Sequence, residues 1–369
     1  MARVRRHRPD EDGNDTQDEE PAAEAWIEAH DGTLTRAYRT RVADLESIMR
    51  SVNGLHHITA IAGPAQENLD FYSGVLGMRL VKKSVNQDDP GTYHLFYADA
   101  EGHPGTDLTF FPWTQMAPPR MGHGLAVEVS LEVPSGSLEF WGARLEKYGT
   151  KAAAIETRFG DKVLPLVDPH GLRVALVEPL RQAQGGAGKA TGRAFSPWDH
   201  STVPPERQVR GLYGAQLWER ELAPTTEFLT DILGFTALGE EHGWTRYGFE
   251  DGIGVLDLRA TPDVRRGGWG VGSVHHLAWR VDDETHQLAV RSQVETVGRR
   301  PTPVIDRFWF KSVYFQEPGG VLFELATDGP GFAVDEDRDH LGETLVLPPW
   351  LEPARERIEA VLPQLTAGG

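Results

Sequence analysis

Cysteine is absent from the sequence, and its absence excludes several kinds of chemistry together. Disulfide bonds, thiolate nucleophiles and zinc–thiolate sites all need this residue, so the protein must work without them. Long apolar segments are also missing. No stretch approaches the ~20 apolar residues that a membrane-spanning helix requires, and no secretory apolar segment follows the first residues. These features predict a cytoplasmic protein that does not insert into membranes.

Basic residues are scarce relative to acidic ones. Lysine and arginine together number 37, against 55 aspartates and glutamates, which gives a formal net charge of −18. A chain this acidic should repel the phosphates of nucleic acids and the anionic headgroups of membranes. We therefore expect a small-molecule partner, no nucleic acid and no membrane, and we also expect assembly as a homo-oligomer.

Length and changes in composition predict two domains with extensions. A chain of 369 residues suits two domains. Residues 1–24 are acidic and almost devoid of apolar side chains, which predicts disorder. Residues 25–50 could form an amphipathic helix that packs on the outside or on a partner subunit. The predicted segments are an acidic extension with this helix (1–50), a first domain (51–181), a linker rich in Gly, Ala, Ser and Pro (182–208), a second domain (209–346) and a tail (347–369).

An internal repeat predicts the fold. Residues 70–78, Asp-Phe-Tyr-Ser-Gly-Val-Leu-Gly-Met, match residues 227–235, Glu-Phe-Leu-Thr-Asp-Ile-Leu-Gly-Phe. Each segment is typical of a helix that ends in Leu-Gly, with the glycine in the left-handed position after the last turn. Each follows a strand-like stretch and precedes several short strands separated by tight turns. Weaker versions occupy the other two quarters, so a β-α-β-β-β unit is predicted four times, twice on each side of the linker.

Paired histidines open the first and the fourth of these units. One segment reads Leu-His-His-Ile and contains His57, and the other reads Val-His-His-Leu and contains His276. Glu324 lies in the apolar stretch Val-Leu-Phe-Glu-Leu, where an unpaired carboxylate would be costly to bury. Two imidazoles and one carboxylate form the set that binds non-haem Fe(II) with open coordination positions. These three residues are therefore a candidate metal site, provided that the fold brings them together.

The fourfold unit resembles the vicinal oxygen chelate superfamily, which includes glyoxalase I and the extradiol dioxygenases. The resemblance covers about residues 52–346. It depends on the Phe-x-x-x-[Val/Ile]-Leu-Gly helix ends and on the Pro-Gly-Gly turn before the strand of Glu324. It implies an α+β fold in which four βαβββ units form two vicinal oxygen chelate domains, whose strands curl into half-barrel cups around a metal.

In that superfamily the metal ligands occupy two positions per unit, one early in the first strand and one in the last strand. Counting back from the helices gives the first-strand candidates of units one to four: His57, Ala126, Gly214 and His276. Counting forward from the turn glycines gives the last-strand candidates: Thr109, Ala175, Leu256 and Glu324. Only units one and four offer ligands, and a half-barrel can place these in one cup. The resemblance thus implies Fe(II), or Mn(II) in its place, on His57, His276 and Glu324.

The distribution of these residues distinguishes between members of the superfamily. Glyoxalase I sites normally use two carboxylates, and Thr109 occupies the position of the second. Catechol extradiol enzymes draw their ligands from the second domain, where Gly214 replaces the first histidine. The paired His-His openings instead resemble the hydroquinone-type ring-cleaving dioxygenases, the 2,6-dichlorohydroquinone dioxygenase group. That resemblance implies cleavage of an aromatic diol by O2, with a para-diol as substrate, in aromatic hydrocarbon catabolism. Catechol cleavage and glyoxalase I-like lyase activity remain alternatives.

The same resemblance points to two residues that act beside the metal. Arg307 could hold a phenolate or a developing oxyanion, and Tyr314 could donate a hydrogen bond or a proton. Both are expected in strand segments just before Glu324, the second of them within residues 308–316. Six aromatic residues could line a pocket or fill a core, with core favoured for most: Phe111, Trp113, Trp218, Trp244, Trp309 and Phe310.

The first histidine of each pair is harder to interpret. Strand alternation turns His56 and His275 away from the face that carries the ligands. They could be shifted ligands, partners of the ligands or surface residues, and we include them with Thr59 among the catalytic candidates. Five other histidines have no comparable context and receive no role: His94, His103, His123, His170 and His242.

A binding protein without chemistry is the alternative from a different class. The same fold sequesters drugs in some members of the superfamily. Such a protein would not need two histidines and a glutamate in register. Metal content after purification, followed by O2 consumption with a hydroquinone, distinguishes the two hypotheses.

Overall fold

The computed structural model describes residues 51–180, 194–249 and 254–366. The expected extension and helix (1–50) and the first part of the expected linker lie outside these residues, so those expectations remain predictions. Within the three described ranges, no helix is long and apolar enough to cross a membrane.

Four βαβββ units follow one another along the chain. Unit one contains β1 (Leu55–Ala62), α1 (Ala65–Leu69, continued by a π-helical turn over Asp70–Val75), β2 (Arg79–Asn86), β3 (Asp89–Ala98) and β4 (Asp107–Pro112). Unit two contains β5 (Leu125–Glu132), α2 (Leu138–Lys147), β6 (Glu156–Arg158), β7 (Asp161–Val167) and β8 (Arg173–Glu178). Unit three contains β9 (Gly211–Glu219), α3 (Ala223–Asp231), β10 (Thr236–Glu241), β11 (Trp244–Gly248) and β12 (Val255–Ala260). Unit four contains β13 (Val274–Val281), α4 (Glu284–Thr296), β14 (Ile305–Asp306), β15 (Lys311–Gln316) and β16 (Leu322–Thr327).

The C-terminal segment adds only short helical elements. These are turns over Phe332–Val334, Arg338–His340 and Glu352–Ala354, followed by α5 (Arg355–Glu359).

The strands form two curled eight-stranded sheets that combine units from both halves of the chain. The first sheet has the order β14-β15-β16-β13-β1-β4-β3-β2 and so joins units one and four. The second has the order β10-β11-β12-β9-β5-β8-β7-β6 and joins units two and three. The fold is α+β with two glyoxalase-type half-barrels, as expected. Each sheet therefore draws strands from both sides of residues 182–208, although the units follow one another in sequence.

The central strands are buried on both faces, whereas the helices bury one stripe. All eight residues of β1 are buried, and so are all eight of β5. In α2 the buried residues are Leu138, Trp141 and Leu145, spaced as one face of a helix. Trp141 is fully buried, so its replacement by alanine should cost about 3–5 kcal/mol of stability.

Glycines end the helices of units one and three in the predicted conformation. Gly77 has φ of 68° and Gly234 has φ of 79°, both in the left-handed region. A Cβ at Gly77 would also lie 2.5 Å from Ser201 Oγ. A side chain there would strain the backbone and clash with the segment that leads into unit three.

The strand expected over residues 308–316 is shorter than predicted. It begins at Lys311, and the residues before it form a turn in which Phe308 has φ of 74°. That conformation is costly for a bulky residue and persists only where contacts impose it. Phe308 N donates to Asp306 Oδ1 at 2.7 Å, which helps to hold the turn. Arg307 therefore lies in a loop and not within a strand.

Candidate metal centre

Three neighbouring strands of the first sheet bring the predicted ligands together. His57 is on β1, His276 on β13 and Glu324 on β16, and β13 lies between the other two strands. His57 Nε2 lies 3.3 Å from His276 Nε2. Glu324 Oε2 lies 3.2 Å from His57 Nε2 and 3.0 Å from His276 Nε2. The pairing of units one and four thus creates a site that neither half of the chain contains alone.

The donor atoms of this cluster fit a metal ion. Exposed fractions are 1% for His57, 3% for His276 and 0% for Glu324. Glu324 Oε1 accepts a hydrogen bond from Ser312 Oγ at 2.5 Å. Glu324 Oε2 is buried and forms no hydrogen bond with the described residues, although two imidazoles lie close to it. Three buried donor atoms that lie this close together could hold one shared cation. Within the described part of the chain, this is the one such cluster of metal-binding side chains.

The electrostatic environment favours the metal-binding forms of these groups. Burial alone would raise the pKa of Glu324, but His57 and His276 hold it well below its usual range. Burial also lowers the pKa of His276, although Glu324 opposes this effect. An ionised carboxylate and a neutral imidazole are the forms that ligate metals.

Two β-bulges explain the paired histidines. The β1–β13 ladder skips His56 on one strand and His275 on the other. A bulge inserts one extra residue and redirects the neighbouring side chains. Each extra histidine therefore stays beside its neighbour: His56 Nδ1 lies 2.9 Å from His57 Nδ1, and His275 Nδ1 lies 2.7 Å from His276 Nδ1. Our use of strict alternation was wrong here, because alternation assumes a regular strand.

These contacts are compatible with the tautomers that metal binding by His57 and His276 would need. Burial and then His57 lower the pKa of His56 to about 3. Burial and then His276 lower the pKa of His275 to about 3. His56 and His275 are therefore neutral near pH 7. Each can accept a hydrogen bond at Nδ1 from the Nδ1–H of the histidine that follows it, His57 or His276. The Nε2 lone pairs of the two ligands are then free to face the metal position.

A cavity of about 290 Å³ opens onto this cluster. Its polar wall includes His57, His276, Arg307 and Tyr314. Its apolar wall is formed mainly by Phe96, Phe111, Trp113, Trp309 and Phe310. Four of the six aromatic residues considered from the sequence thus line the cavity. Trp218 and Trp244 lie in the second sheet instead.

Comparisons with known proteins agree with the fold. The sequence matches the profile of the Glyoxalase/Bleomycin resistance protein/Dioxygenase superfamily over residues 54–176 and 215–325. The chain belongs to this superfamily. It is 44% identical over 307 residues to MhqO of Bacillus subtilis (strain 168), which is named as a ring-cleaving dioxygenase. That match covers 83% of this chain and 94% of MhqO.

Two further similar proteins are also described as dioxygenases. The chain is 34% identical over 320 residues to the chlorohydroquinone/hydroquinone 1,2-dioxygenase of Sphingobium indicum, which covers 83% of this chain and 95% of that protein. The crystal structure of a protein from Bacillus subtilis, described as a dioxygenase, matches with a TM-score of 0.78 and 42% identity, covering 86% of this chain and 99% of the other. The chain is thus an enzyme of a ring-cleaving dioxygenase family.

In this superfamily member, the two residues predicted to act beside the metal both reach the cavity. Arg307 Nη2 lies 2.9 Å from Asp88 Oδ2, and its Cζ lies 5.5 Å from the centre of the Tyr314 ring. The Tyr314 ring lies 5.6 Å from that of His276. Burial would lower the pKa of Arg307, but Tyr314 and Asp88 raise it above its ordinary value. Burial and then Glu324 raise the pKa of Tyr314, so both groups keep their protons.

Thr59 belongs to a hydrogen-bonded chain that the sequence reasoning did not find. Its Oγ1 lies 2.7 Å from Thr109 Oγ1, which lies 2.9 Å from His94 Nε2. Both threonines are fully buried. His94 lies outside the paired motifs, so the sequence assigns it no role. The available signal was its place on the same face of β3 as Phe96, whose aromatic ring also faces the cavity. The structure gathers all eight sequence candidates around one site, and their roles in a reaction remain predictions.

The pairing ladders show which residues of the second half-barrel correspond to the ligands. In the first half-barrel, one residue of β13 pairs with both His57 and Glu324. In the second, one residue of β9 pairs with both Glu128 and Asp257. Glu128 is therefore the counterpart of His57, and Asp257 is the counterpart of Glu324.

Two of the counterparts counted from the sequence were thus wrong. Counting from the helix gave Ala126 instead of Glu128, and counting from the turn gave Leu256 instead of Asp257. Helix starts and turns vary in length at the surface, whereas the hydrogen-bonded ladder fixes the register of a buried strand. The second half-barrel therefore has carboxylates at two positions that we had considered unable to bind a metal.

Proposed function

We propose that the protein is a non-haem Fe(II)-dependent dioxygenase that opens the ring of a hydroquinone-type para-diol with O2. The observation that supports this most is the convergence of His57, His276 and Glu324 beside a cavity with aromatic walls. Two imidazoles and one carboxylate are typical of non-haem Fe(II) oxygenases. Mn(II) accepts the same donor types and is the alternative metal.

A para-diol is favoured by the relative from Sphingobium indicum, whose name specifies chlorohydroquinone and hydroquinone. Glyoxalase I chemistry is disfavoured by the residue at the second carboxylate position. That residue is Thr109, and its hydroxyl already contacts Thr59 and His94. Catechol cleavage remains the alternative within the same reaction class.

When bound, Fe(II) supplies Lewis acidity toward one substrate hydroxyl and electrons toward O2. The remaining tasks belong to the side chains of the cavity. Arg307 carries a permanent charge and can stabilise a phenolate or a developing oxyanion. Tyr314 keeps its Oη proton and can donate a hydrogen bond, or the proton itself, to the same oxygen.

Residues that surround the three metal ligands position the ligands and the substrate. His56 and His275 orient the ligand rings through Nδ1, which leaves each Nε2 directed at the metal position. Thr59 holds Thr109 in place through their hydroxyl groups. The aromatic side chains of the cavity exclude water and form flat surfaces against which an aromatic ring can pack.

Oxygen uptake tests this proposal directly. Protein loaded anaerobically with Fe(II) should consume O2 when hydroquinone is added, and it should use hydroquinone better than catechol. Protein without metal should consume none. Isomerisation of the methylglyoxal–glutathione adduct, with no O2 uptake on any diol, would instead establish glyoxalase I activity. Tight binding of diols without either reaction would establish a binding protein.

The cellular setting is part of the same proposal. We place the enzyme in the cytoplasm, in the catabolism of aromatic compounds, and as a homo-oligomer. Fractionation of cells and light scattering of the purified protein test the location and the assembly. Neither result depends on the identity of the metal.

A further inference from the structure

We propose that His94 binds the substrate hydroxyl that is not bound to the metal and thereby selects para-diols. This inference rests on the proposed function. His94 lines the same cavity as His57 and His276, and none of the sequence motifs assigned it a role.

The ring of His94 is held in one orientation. Its centre lies 3.8 Å from the ring of Phe96 and 4.4 Å from the ring of Phe111. Its Nε2 lies 2.9 Å from Thr109 Oγ1. The other ring nitrogen, Nδ1, forms no hydrogen bond with the described residues, and His94 lines the cavity. Nδ1 is therefore the nitrogen available to a molecule in the cavity.

The hydroxyl chain behind His94 lets Nδ1 either donate or accept. In one direction, Thr59 donates to Thr109 and Thr109 donates to Nε2, so the ring proton is on Nδ1. In the other, Nε2–H donates to Thr109, and Nδ1 is an acceptor. Burial, together with His57 and His276, keeps the pKa of His94 well below its usual value, so the ring is neutral in both arrangements. Nδ1 can therefore match a neutral hydroxyl or a phenolate.

The position of His94 suits an oxygen on the far side of the ring. It lies on β3, and β4 separates β3 from the strand of His57. Both His57 and His94 line the cavity from these strands. The adjacent oxygens of a catechol can both bind one metal ion, which leaves no free hydroxyl for His94. The two oxygens of a para-diol cannot bind the same metal ion, so the second hydroxyl stays free for His94.

Anaerobic calorimetry of metal-loaded protein with hydroquinone and with phenol tests this inference. Phenol has one hydroxyl and occupies the metal without offering a second oxygen. The wild type should bind hydroquinone about tenfold more tightly than phenol, as expected for one net hydrogen bond. His94→Phe keeps an aromatic ring between Phe96 and Phe111. It should bind the two ligands equally, with phenol affinity changed by less than about twofold. Retention of the wild-type preference in His94→Phe would overturn the inference.

Thr109 provides a second pair of variants that does not alter His94 itself. Thr109→Val removes the partner of Nε2 with little change of shape and should reduce the hydroquinone preference to about threefold or less. Thr109→Ser retains the hydroxyl and should preserve the preference. Equal preferences in these two variants would overturn the inference, even if His94→Phe does not fold.

These experiments separate this inference from the proposed function. A wild type that prefers hydroquinone but consumes no O2 contradicts the proposed reaction and supports the role of His94 in binding. A wild type that consumes O2 with hydroquinone but binds phenol equally well supports the reaction and overturns the role of His94.

Discussion

The two half-barrels share one strand order, yet their concave faces hold different chemistry. Both central ladders contain bulges at corresponding places. The first skips His56 and His275, and the second skips Val127 and Tyr213. The backbone framework is therefore the same in both. In the first half-barrel it carries a cavity with a cluster that could bind a metal, and in the second it carries ion pairs.

A buried arginine occupies the second half-barrel. Arg246 donates to both carboxylate oxygens of Asp257, from Nε at 2.7 Å and from Nη2 at 3.0 Å, and it also bonds to Asp161. Tyr213, the counterpart of His275, donates to Asp161 at 2.6 Å. The positive charge that balances Asp257 thus comes from within the chain.

The other two ligand positions of this half-barrel are also closed. Glu128 pairs with Arg158. Gly214, the counterpart of His276, cannot carry a side chain, because a Cβ there would lie 2.1 Å from Val255 O. The comparison shows that one scaffold can neutralise a buried carboxylate with an arginine or place it beside two imidazoles that could share a metal with it. Under the proposed function, only the second arrangement leaves coordination positions open for reaction.

The largest expected effect comes from removing the carboxylate of the first half-barrel. Glu324→Gln should lose bound Fe(II). Turnover should fall by more than the roughly 10–100-fold loss that is typical when a residue that only hydrogen-bonds to a metal ligand is replaced. Iron analysis and O2 uptake measure the two effects. The matched control is Asp257→Asn in the second half-barrel, which should retain the iron content of the wild type. Loss of iron in both variants would show that the site is not confined to the first half-barrel.

Breaking the ion pairs of the second half-barrel should affect stability without affecting metal binding. Arg246→Met leaves Asp161 and Asp257 buried without their partner, which should cost about 3–5 kcal/mol in the free energy of unfolding. Urea unfolding measures this change, and iron content per folded molecule should stay constant. Arg338→Met is the control, because its pair with Glu101 is exposed and should contribute less than ~1 kcal/mol. Equal effects of both substitutions would argue against a structural role for the Arg246 pairs.

Removal of a donor from the first cavity should lower the rate and spare the metal. Arg307→Ala and Tyr314→Phe are each expected to reduce turnover by about 10²-fold, since each removes one preorganised group. Iron content should match that of the wild type, in contrast to Glu324→Gln. Parallel measurement of kcat and iron distinguishes the two classes of variant. Wild-type turnover in both would assign these residues to packing alone.

The smallest expected effect lies between the two half-barrels. Glu219 ends β9 of the second sheet, and Glu317 precedes β16 of the first. Burial and then Glu317 raise the pKa of Glu219 to about 9, although Arg266 opposes this. A carboxyl group with a raised pKa in the folded state contributes stability that is present below its unfolded pKa and is lost as the pH rises toward about 9.

Melting curves between pH 6 and pH 9 test this expectation. Tm of the wild type should fall more steeply with pH than Tm of Glu219→Gln over this interval. A parallel pH profile for the two proteins would show that Glu219 is not protonated in the folded state.

Features encoded by local pattern could be predicted from the sequence. The helix ends at Gly77 and Gly234 were evident, because a left-handed residue after Leu marks the end of a helix. The candidate ligands His57, His276 and Glu324 were evident, because the His-His segments recur in the repeat and Glu324 is an acidic residue within an apolar stretch. These inferences need only residues that are close in sequence or related by the repeat.

Tertiary structure alone determined the features that depend on pairing between distant strands. The bulges that redirect His56 and His275 exist only in the ladder between β1 and β13. The same holds for the register that aligns Asp257 with Glu324, and for the packing that brings His94 to the metal cavity. Local sequence specifies which segments become strands. Their register and bulges are decided when two remote segments satisfy their backbone hydrogen bonds and bury the same core faces.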